Sequence, residues 1–214
     1  MLQLNNVGIR IKDNNILCPI SISFLEGAFV VISSSEYEDI LSTIKTIEYK
    51  DNLKSGIIYY NEKKIGFLNK NKYRNNIFMF KDYINGNLDK TVSEIFNLYA
   101  EIFSLDLQPI ALSYFSFIEK AHCKISELSD SEKIFVNAAQ LFFTKKNLWI
   151  INEHIGDLNI LDKNDFEKLV GLFAVKCDNG GIIIFSDYKG NSKNIPFGIK
   201  LNIDDFKVLK DKNG

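Results

Sequence analysis

The sequence predicts an α/β fold with a parallel core sheet and an added antiparallel β layer at the front of the chain. Three observations point there. Short, continuously apolar runs at residues 28–32, 148–151 and 182–185 have the pattern of strands buried on both faces. Segments with apolar residues at helical spacing separate these runs, and such alternation marks a parallel sheet. Ahead of them, Leu2, Leu4, Ile9 and Ile11 alternate with polar neighbours, as do Ile16, Ile20, Ile22 and Phe24, which is the period of strands with one buried face.

Taken in order, the first two strands are joined by an expected hairpin at residues 13–15. Glu26-Gly27 then makes a turn into the first buried strand, and polar residues follow at once. From Asp39 onward Ile40, Leu41, Ile44 and Ile47 recur at helical spacing. Strand, polar loop and helix in this order form the local architecture of a phosphate loop. Ser55-Gly56 leads into a strand at 57–60, and another short strand is expected at 77–80. Thr91 with Glu94 reads as a capping box opening a helix through 103, and 105–118 reads as a second helix. Ser129 and Ser131 precede a helix running to about 143. The strand at 148–151 ends at Asn152-Glu153, a helix covers about 161–175, and Gly180-Gly181 turns into the last buried strand.

Composition narrows the function classes. One domain spanning residues 1–214, with a sizeable core, is expected at this length with 46% hydrophobic side chains. The 26 basic and 27 acidic side chains balance, which argues against nucleic acid as a partner. The N-terminal stretch lacks the regions of a signal peptide, and no apolar run approaches the ~18 residues of a membrane span, so a soluble or peripheral protein is expected. Cys18, Cys123 and Cys177 are widely spaced and fit a reducing compartment better than a disulfide or metal framework.

In their order and spacing these pieces resemble an ATP-binding subunit of an ABC transporter over roughly residues 1–190. Gly27 fits the turn before the first core strand, and SGIIYYNEKKI at 55–65 fits the strand after the first helix. KTVSEIFNLYAEIF at 90–103 is similar to the start of the helical subdomain, placed at about 90–130. LSDSEKIFVNAAQLF at 128–142 is similar to the signature and its helix. LWIINEHIGDLN at 148–159 matches the Walker B strand through the D-loop, and GGIIIFSDY at 180–188 the switch strand. Within the family, the texture is most similar to the haem-export ATPase subunit of cytochrome c maturation. The resemblance implies a P-loop NTPase-like nucleotide-binding domain, ATP and Mg²⁺ as cofactors, a dimer of such domains and a multispanning membrane subunit as partner. It also implies a peripheral position on the cytoplasmic face of the inner membrane, or on the matrix face in a mitochondrion.

The motifs depart from the chemistry the family needs. A phosphate loop uses glycines for close backbone approach, a lysine for phosphate charge and a hydroxyl for Mg²⁺. The resemblance places this loop at Ser34, Ser35, Glu36, Tyr37, Glu38, Asp39, Ile40, Leu41 and Ser42. Ser34 and Asp39 replace its glycines, Ile40 its lysine and Leu41 its hydroxyl residue. Glu36, Glu38 and Asp39 surround the expected triphosphate position. At about 5 Å and an effective dielectric near 20, each opposed pair of unit charges costs about 3 kcal/mol. The attraction of a helix N-terminus, at most ~2 kcal/mol, does not offset that. In the signature, Ser129 is kept while Asp130 and Ser131 replace glycines. Asn152 stands for the Mg²⁺-coordinating aspartate, Glu153 matches the general base, and Asp187 occupies the switch-histidine position, where a carboxylate can only accept. The Q-loop region Phe80-Lys81-Asp82 has no glutamine, Asn159 replaces the D-loop aspartate, and Ile11 sits at the adenine-stacking position. None of the 12 glycines falls between Gly27 and Gly56 or between Gly86 and Gly156, the gaps that contain both phosphate-cradling motifs.

Plainer roles compete with each of these. Ser33, Ser34 and Ser35 suit a solvated loop capping the following helix. Glu36, Glu38 and Asp39 are favourable at any helix N-terminus. Glu153 reads as a relic, His122 and His154 as structural residues, and Phe135, Phe142 and Phe143 as core. Tyr83, Ile84, Phe96 and Tyr99 are candidates for contact with a membrane subunit. The expected function is a transporter subunit with impaired ATP binding and hydrolysis; the alternative is a non-catalytic structural or regulatory partner of an intact ABC ATPase or membrane complex.

Overall fold

The computed structural model describes residues 1–11, 19–50, 53–151, 157–188 and 195–207. Two compact units are present: Met1–Phe78 with Lys146–Ile151 and Phe173–Gly214, and Met79–Lys145 with Asn152–Leu172. In chain order the strands and helices are β1 (Leu2–Gly8), β2 (Ile20–Phe24), β3 (Phe29–Ser33), α1 (Tyr37–Ile47), β4 (Ser55–Tyr60), β5 (Lys63–Lys64), α2 (Lys70–Arg74) and β6 (Ile77–Met79). They continue as α3 (Val92–Phe103), α4 (Gln108–Tyr114), α5 (Asp130–Ala138), α6 (Gln140–Phe143), β7 (Leu148–Ile151), α7 (Lys163–Asp178), β8 (Ile182–Asp187) and β9 (Ile199–Asn202).

The expected antiparallel layer is a sheet in the order β2-β1-β4-β5. Leu2 faces Phe24 and Leu4 faces Ile22, so the alternation of the first strand buries one face. The hairpin expected at 13–15 lies outside the described residues. Gly56, at φ +82°, sits so close to β1 that a Cβ would lie 2.2 Å from the Asn6 carbonyl oxygen, and only glycine fits there.

The second sheet has the order β6-β7-β8-β3-β9, and its β7–β8, β8–β3 and β3–β9 pairs are parallel. Its strands β3, β7 and β8 are the continuously apolar runs, buried on both faces as their composition requires. Gly27, at φ +83°, provides the left-handed turn into β3. Phe29 anchors an aromatic cluster with Phe173 at 5.6 Å, Phe185 at 6.1 Å and Phe197 at 5.2 Å between ring centroids. Helix α1 buries Ile40, Ile44 and Ile47, the spacing that predicted it.

The second unit is helical. Thr91 forms the expected capping box: its hydroxyl accepts the Glu94 N–H, and the Glu94 carboxylate accepts the Thr91 N–H at 2.7 Å. Helix α4 is shorter than the expected 105–118, because Pro109 sits in its first turn and Ser116 adopts φ +61° just beyond its end. Ala139 separates α5 from α6, where one helix was expected. Phe96, Tyr99, Phe117 and Phe143 pack ring against ring in the core. Phe96 and Tyr99 are 0% exposed and Ile84 is also buried, so these three serve this unit's interior and do not present a docking face. Tyr83, half-buried, lays its ring 5.6 Å from that of Tyr99.

The last 20 residues hold elements without a counterpart in the expected order. β9 adds a parallel edge strand beside β3, and a 3-10 turn follows at Ile203–Phe206. Leu201 and Ile203 are buried while Asn202 between them is exposed, the alternation of a one-faced strand running into a cap.

Candidate functional site

β3 lies between β8 and β9, so Ser33 at its end faces Asp187 on one side and Asn202 on the other. Loops beyond the carboxyl ends of parallel strands are the usual ligand sites of such sheets. Residues 34–36 form that loop and lead into α1, whose first-turn N–H groups carry partial positive charge.

A side chain from the same unit occupies the loop. Asp204 lies in the 3-10 turn, where its N–H is held by the Asn202 side chain at 3.2 Å. Its carboxylate accepts the Ser34 hydroxyl at 2.8 Å, the Ser35 N–H at 2.7 Å and the Ser35 hydroxyl at 3.2 Å. Lys207, one turn further on, sets its ammonium 2.6 Å from Asp204 and 2.7 Å from Asp39. The Asp39 side chain is 2% exposed, so this pair links the C-terminal turn to the interior of α1's first turn. Partial burial alone would raise the Asp204 carboxyl, but the bonds from Lys207, the Ser35 amide and both serine hydroxyls outweigh it and bring the pKa down to about 2. For Lys207, burial acts downward and the two carboxylates prevail, raising its pKa above the ordinary lysine value.

The other residues of the expected phosphate loop are placed as follows. Glu36 is the exposed N-cap of α1 and makes no side-chain cap bond; the Ser34 hydroxyl accepts the Glu36 N–H at 3.2 Å, part of the expected capping, and the Ser34 and Ser35 hydroxyls also donate to Asp204. Tyr37 opens α1 and lies 5.6 Å, ring to ring, from Tyr188. Glu38 is exposed, whereas Ile40, at the lysine position, is 0% exposed and belongs to the core. Leu41 and Ser42 are half-buried, and the Ser42 carbonyl accepts the Thr46 hydroxyl at 2.8 Å. Asp187 ends β8 and is buried.

Ser129 lies in the helical unit as the N-cap of α5. Its hydroxyl accepts the Glu132 N–H at 3.3 Å and its own N–H goes to the Glu132 carboxylate at 2.9 Å. At the Q-loop position the buried Gln140 side chain grips Lys81 by the backbone, accepting its N–H at 3.1 Å and donating to its carbonyl at 2.7 Å. Asn152 and Glu153 lie outside the described residues. Among the described residues no His, Cys, Asp and Glu group could hold a metal ion, and no helix is long and apolar enough to cross a membrane.

Asp204 and Lys207 were not among the expected site residues. Only their local structure had a signal: Ile199, Leu201 and Ile203 alternate as a strand, Asn202 precedes the acidic pair Asp204-Asp205 as a cap does, and a lysine follows Asp204 at the i+3 spacing of an ion pair, but nothing in it points to the loop at 34–36. The loop's donor set does not fit a magnesium triphosphate. None of residues 34–42 is basic, and the Ser34 hydroxyl and the Ser35 hydroxyl and N–H are bonded to Asp204.

No family model matches the chain. It is 28% identical over 195 residues to the cytochrome c biogenesis ATP-binding export protein CcmA of Rickettsia typhi, covering 88% of this chain and 92% of that protein. The CcmA of Rickettsia felis is 28% identical over 198 residues, covering 90% of this chain and 95% of its own length. Among solved structures, a Pyrococcus furiosus protein described as an ABC transporter ATP-binding protein superposes with a TM-score of 0.73 at 15% identity, covering 97% of this chain and 99% of that one. A dimeric ATP-binding cassette with ADP and phosphate bound gives 0.62 at 19% identity, covering 89% of each chain. The chain thus has the fold of ABC ATP-binding cassettes and resembles cytochrome c biogenesis ATP-binding export proteins along most of its length.

Proposed function

We propose that this protein is the peripheral ATP-binding-type subunit of an ABC transporter resembling the haem exporter of cytochrome c biogenesis, with ATP binding and hydrolysis impaired. Its place is on the cytoplasmic face of a membrane, or the matrix face in a mitochondrion, paired with a second nucleotide-binding domain and a multispanning subunit. The observation that carries the reading is the 28% identity to CcmA across most of both chains, joined to the cassette fold. Impairment is supported by the residues at the loop: a buried isoleucine at the lysine position and a carboxylate on the loop's own donors.

A second reading, a non-catalytic structural or regulatory partner of an intact ABC ATPase, draws on the same Asp204 contact. Here the chain supplies the shape of a cassette, and the companion ATPase performs the turnover. Tagged full-length protein purified from solubilised membranes tests both. Recovery with a multispanning subunit, and ATP turnover by the complex unchanged by Glu153→Gln, is the expected result. Recovery free of any membrane partner contradicts both readings, and turnover abolished by Glu153→Gln contradicts the impaired site.

A further inference from the structure

We propose that Asp204 and Lys207 form an autoinhibitory latch, in which the Asp204 carboxylate is the loop's resident anion and must be displaced before a phosphate group can enter. This rests on the reading of residues 34–42 as a former nucleotide loop, and it names what regulates that loop.

The latch has a ligand, a tie and an anchor. The ligand is the carboxylate, which takes one backbone N–H and two hydroxyls from Ser34 and Ser35. A phosphate oxygen would use the same donors, and an anion cannot share them with another anion. The tie is Lys207, which bonds Asp204 and Asp39 at once. It supplies to the carboxylate the cation that residues 34–42 lack. The anchor is β9 and the turn after it: Leu201 and Ile203 are buried, and Asn202 holds the Asp204 N–H, so the carboxylate is delivered by a fixed element of the sheet.

An internal ligand lowers the apparent affinity for an external one by the fraction of molecules in which the loop is open. Removing it therefore raises affinity, while Lys207 keeps its bond to Asp39. Glu36 and Glu38 remain nearby and keep the opened site weak, so the effect is read as a ratio between variants.

The experiment uses the full chain and inorganic pyrophosphate as probe, followed by calorimetric titration, beside amide exchange on the ¹⁵N-labelled wild type. The Ser35 amide proton of the wild type is expected to be protected, and Asp204→Ala to bind pyrophosphate roughly tenfold or more tightly than the wild type. Asp204→Asn, which keeps the shape and loses the charge, is expected to fall between them and carries the comparison if Asp204→Ala does not fold. A rapidly exchanging Ser35 amide overturns the contact whatever the variants do. A protected amide with equal affinity, or no binding, in all three proteins overturns the inhibitory role. Neither result bears on recovery with a membrane partner, by which the transporter-subunit reading is judged.

Discussion

The Asp204 carboxylate accepts the backbone N–H of Ser35 at 2.7 Å, joining two residues 169 positions apart in sequence. The bond is made in the loop between β3 and α1, which the resemblance reads as a phosphate loop, and Lys207 completes it by reaching Asp39 in α1. The chain thereby bonds the Ser34 and Ser35 hydroxyls and the Ser35 N–H with a side chain of its own.

The contact has a defined pH range. The folded carboxyl of Asp204 lies at about 2 against an ordinary 3.8, so its stabilisation is present above 3.8 and is lost as pH falls toward 2. Lys207 is shifted upward, so its contribution is full below the ordinary lysine value and is lost only as pH rises through the elevated one. The latch is intact at neutral pH and is not a physiological pH switch. The unfolding free energies of the wild type and Asp204→Asn, from urea titrations, should differ by roughly 1–2 kcal/mol at pH 7 and converge only as pH falls to about 2.

Lys207→Ala removes a cation from Asp39, whose side chain is 2% exposed. Loss of one partner from a buried pair costs roughly 3–5 kcal/mol, and the partial exposure of Lys207 puts this site at or below the lower end of that range. A cycle of Lys207→Ala, Asp39→Asn and the double variant, measured by denaturation, should give a coupling of about 1–2 kcal/mol. Additive effects would mean that the two residues do not interact in solution.

Much of the fold was legible because burial leaves a period in sequence. The continuously apolar runs became the central strands, the Thr91 capping box opened α3, and Ile40, Ile44 and Ile47 became the buried stripe of α1. The ends of α4 and the break at Ala139 were less legible, since Pro109 and Ser116 act locally on a pattern that extends past them. At the site, the absence of a basic residue from 34–42 was readable, and the burial of Ile40 and Asp39 agrees with their apolar-helix spacing and first-turn position. The Asp204 contact was not readable, because Asp204 and Lys207 lie beyond residue 190, outside the resemblance, and no local pattern links them to a loop 169 residues earlier.

Ser129 is the N-cap of α5, in a capping box with Glu132. Ser129→Ala should lower stability by about 1 kcal/mol in thermal or urea unfolding, the usual cost of an N-cap hydroxyl, with Ser129→Asp close to wild type. Equal loss in both variants would show that the hydroxyl serves something other than the cap.

Gln140→Leu should be costlier than its volume suggests. The side chain is 0% exposed and satisfies both the N–H and the carbonyl of Lys81. Leaving those groups without their partner is expected to cost roughly 2–4 kcal/mol, with faster amide exchange at Lys81.

Equilibrium binding of fluorescent ATP with Mg²⁺ by the isolated wild-type chain bears on the loop with no partner or variant intervening. A loop closed by Asp204, with Ile40 in place of a lysine, predicts no saturation below about 1 mM, weaker than roughly 4 kcal/mol of binding free energy. Saturable binding at micromolar concentrations would contradict it.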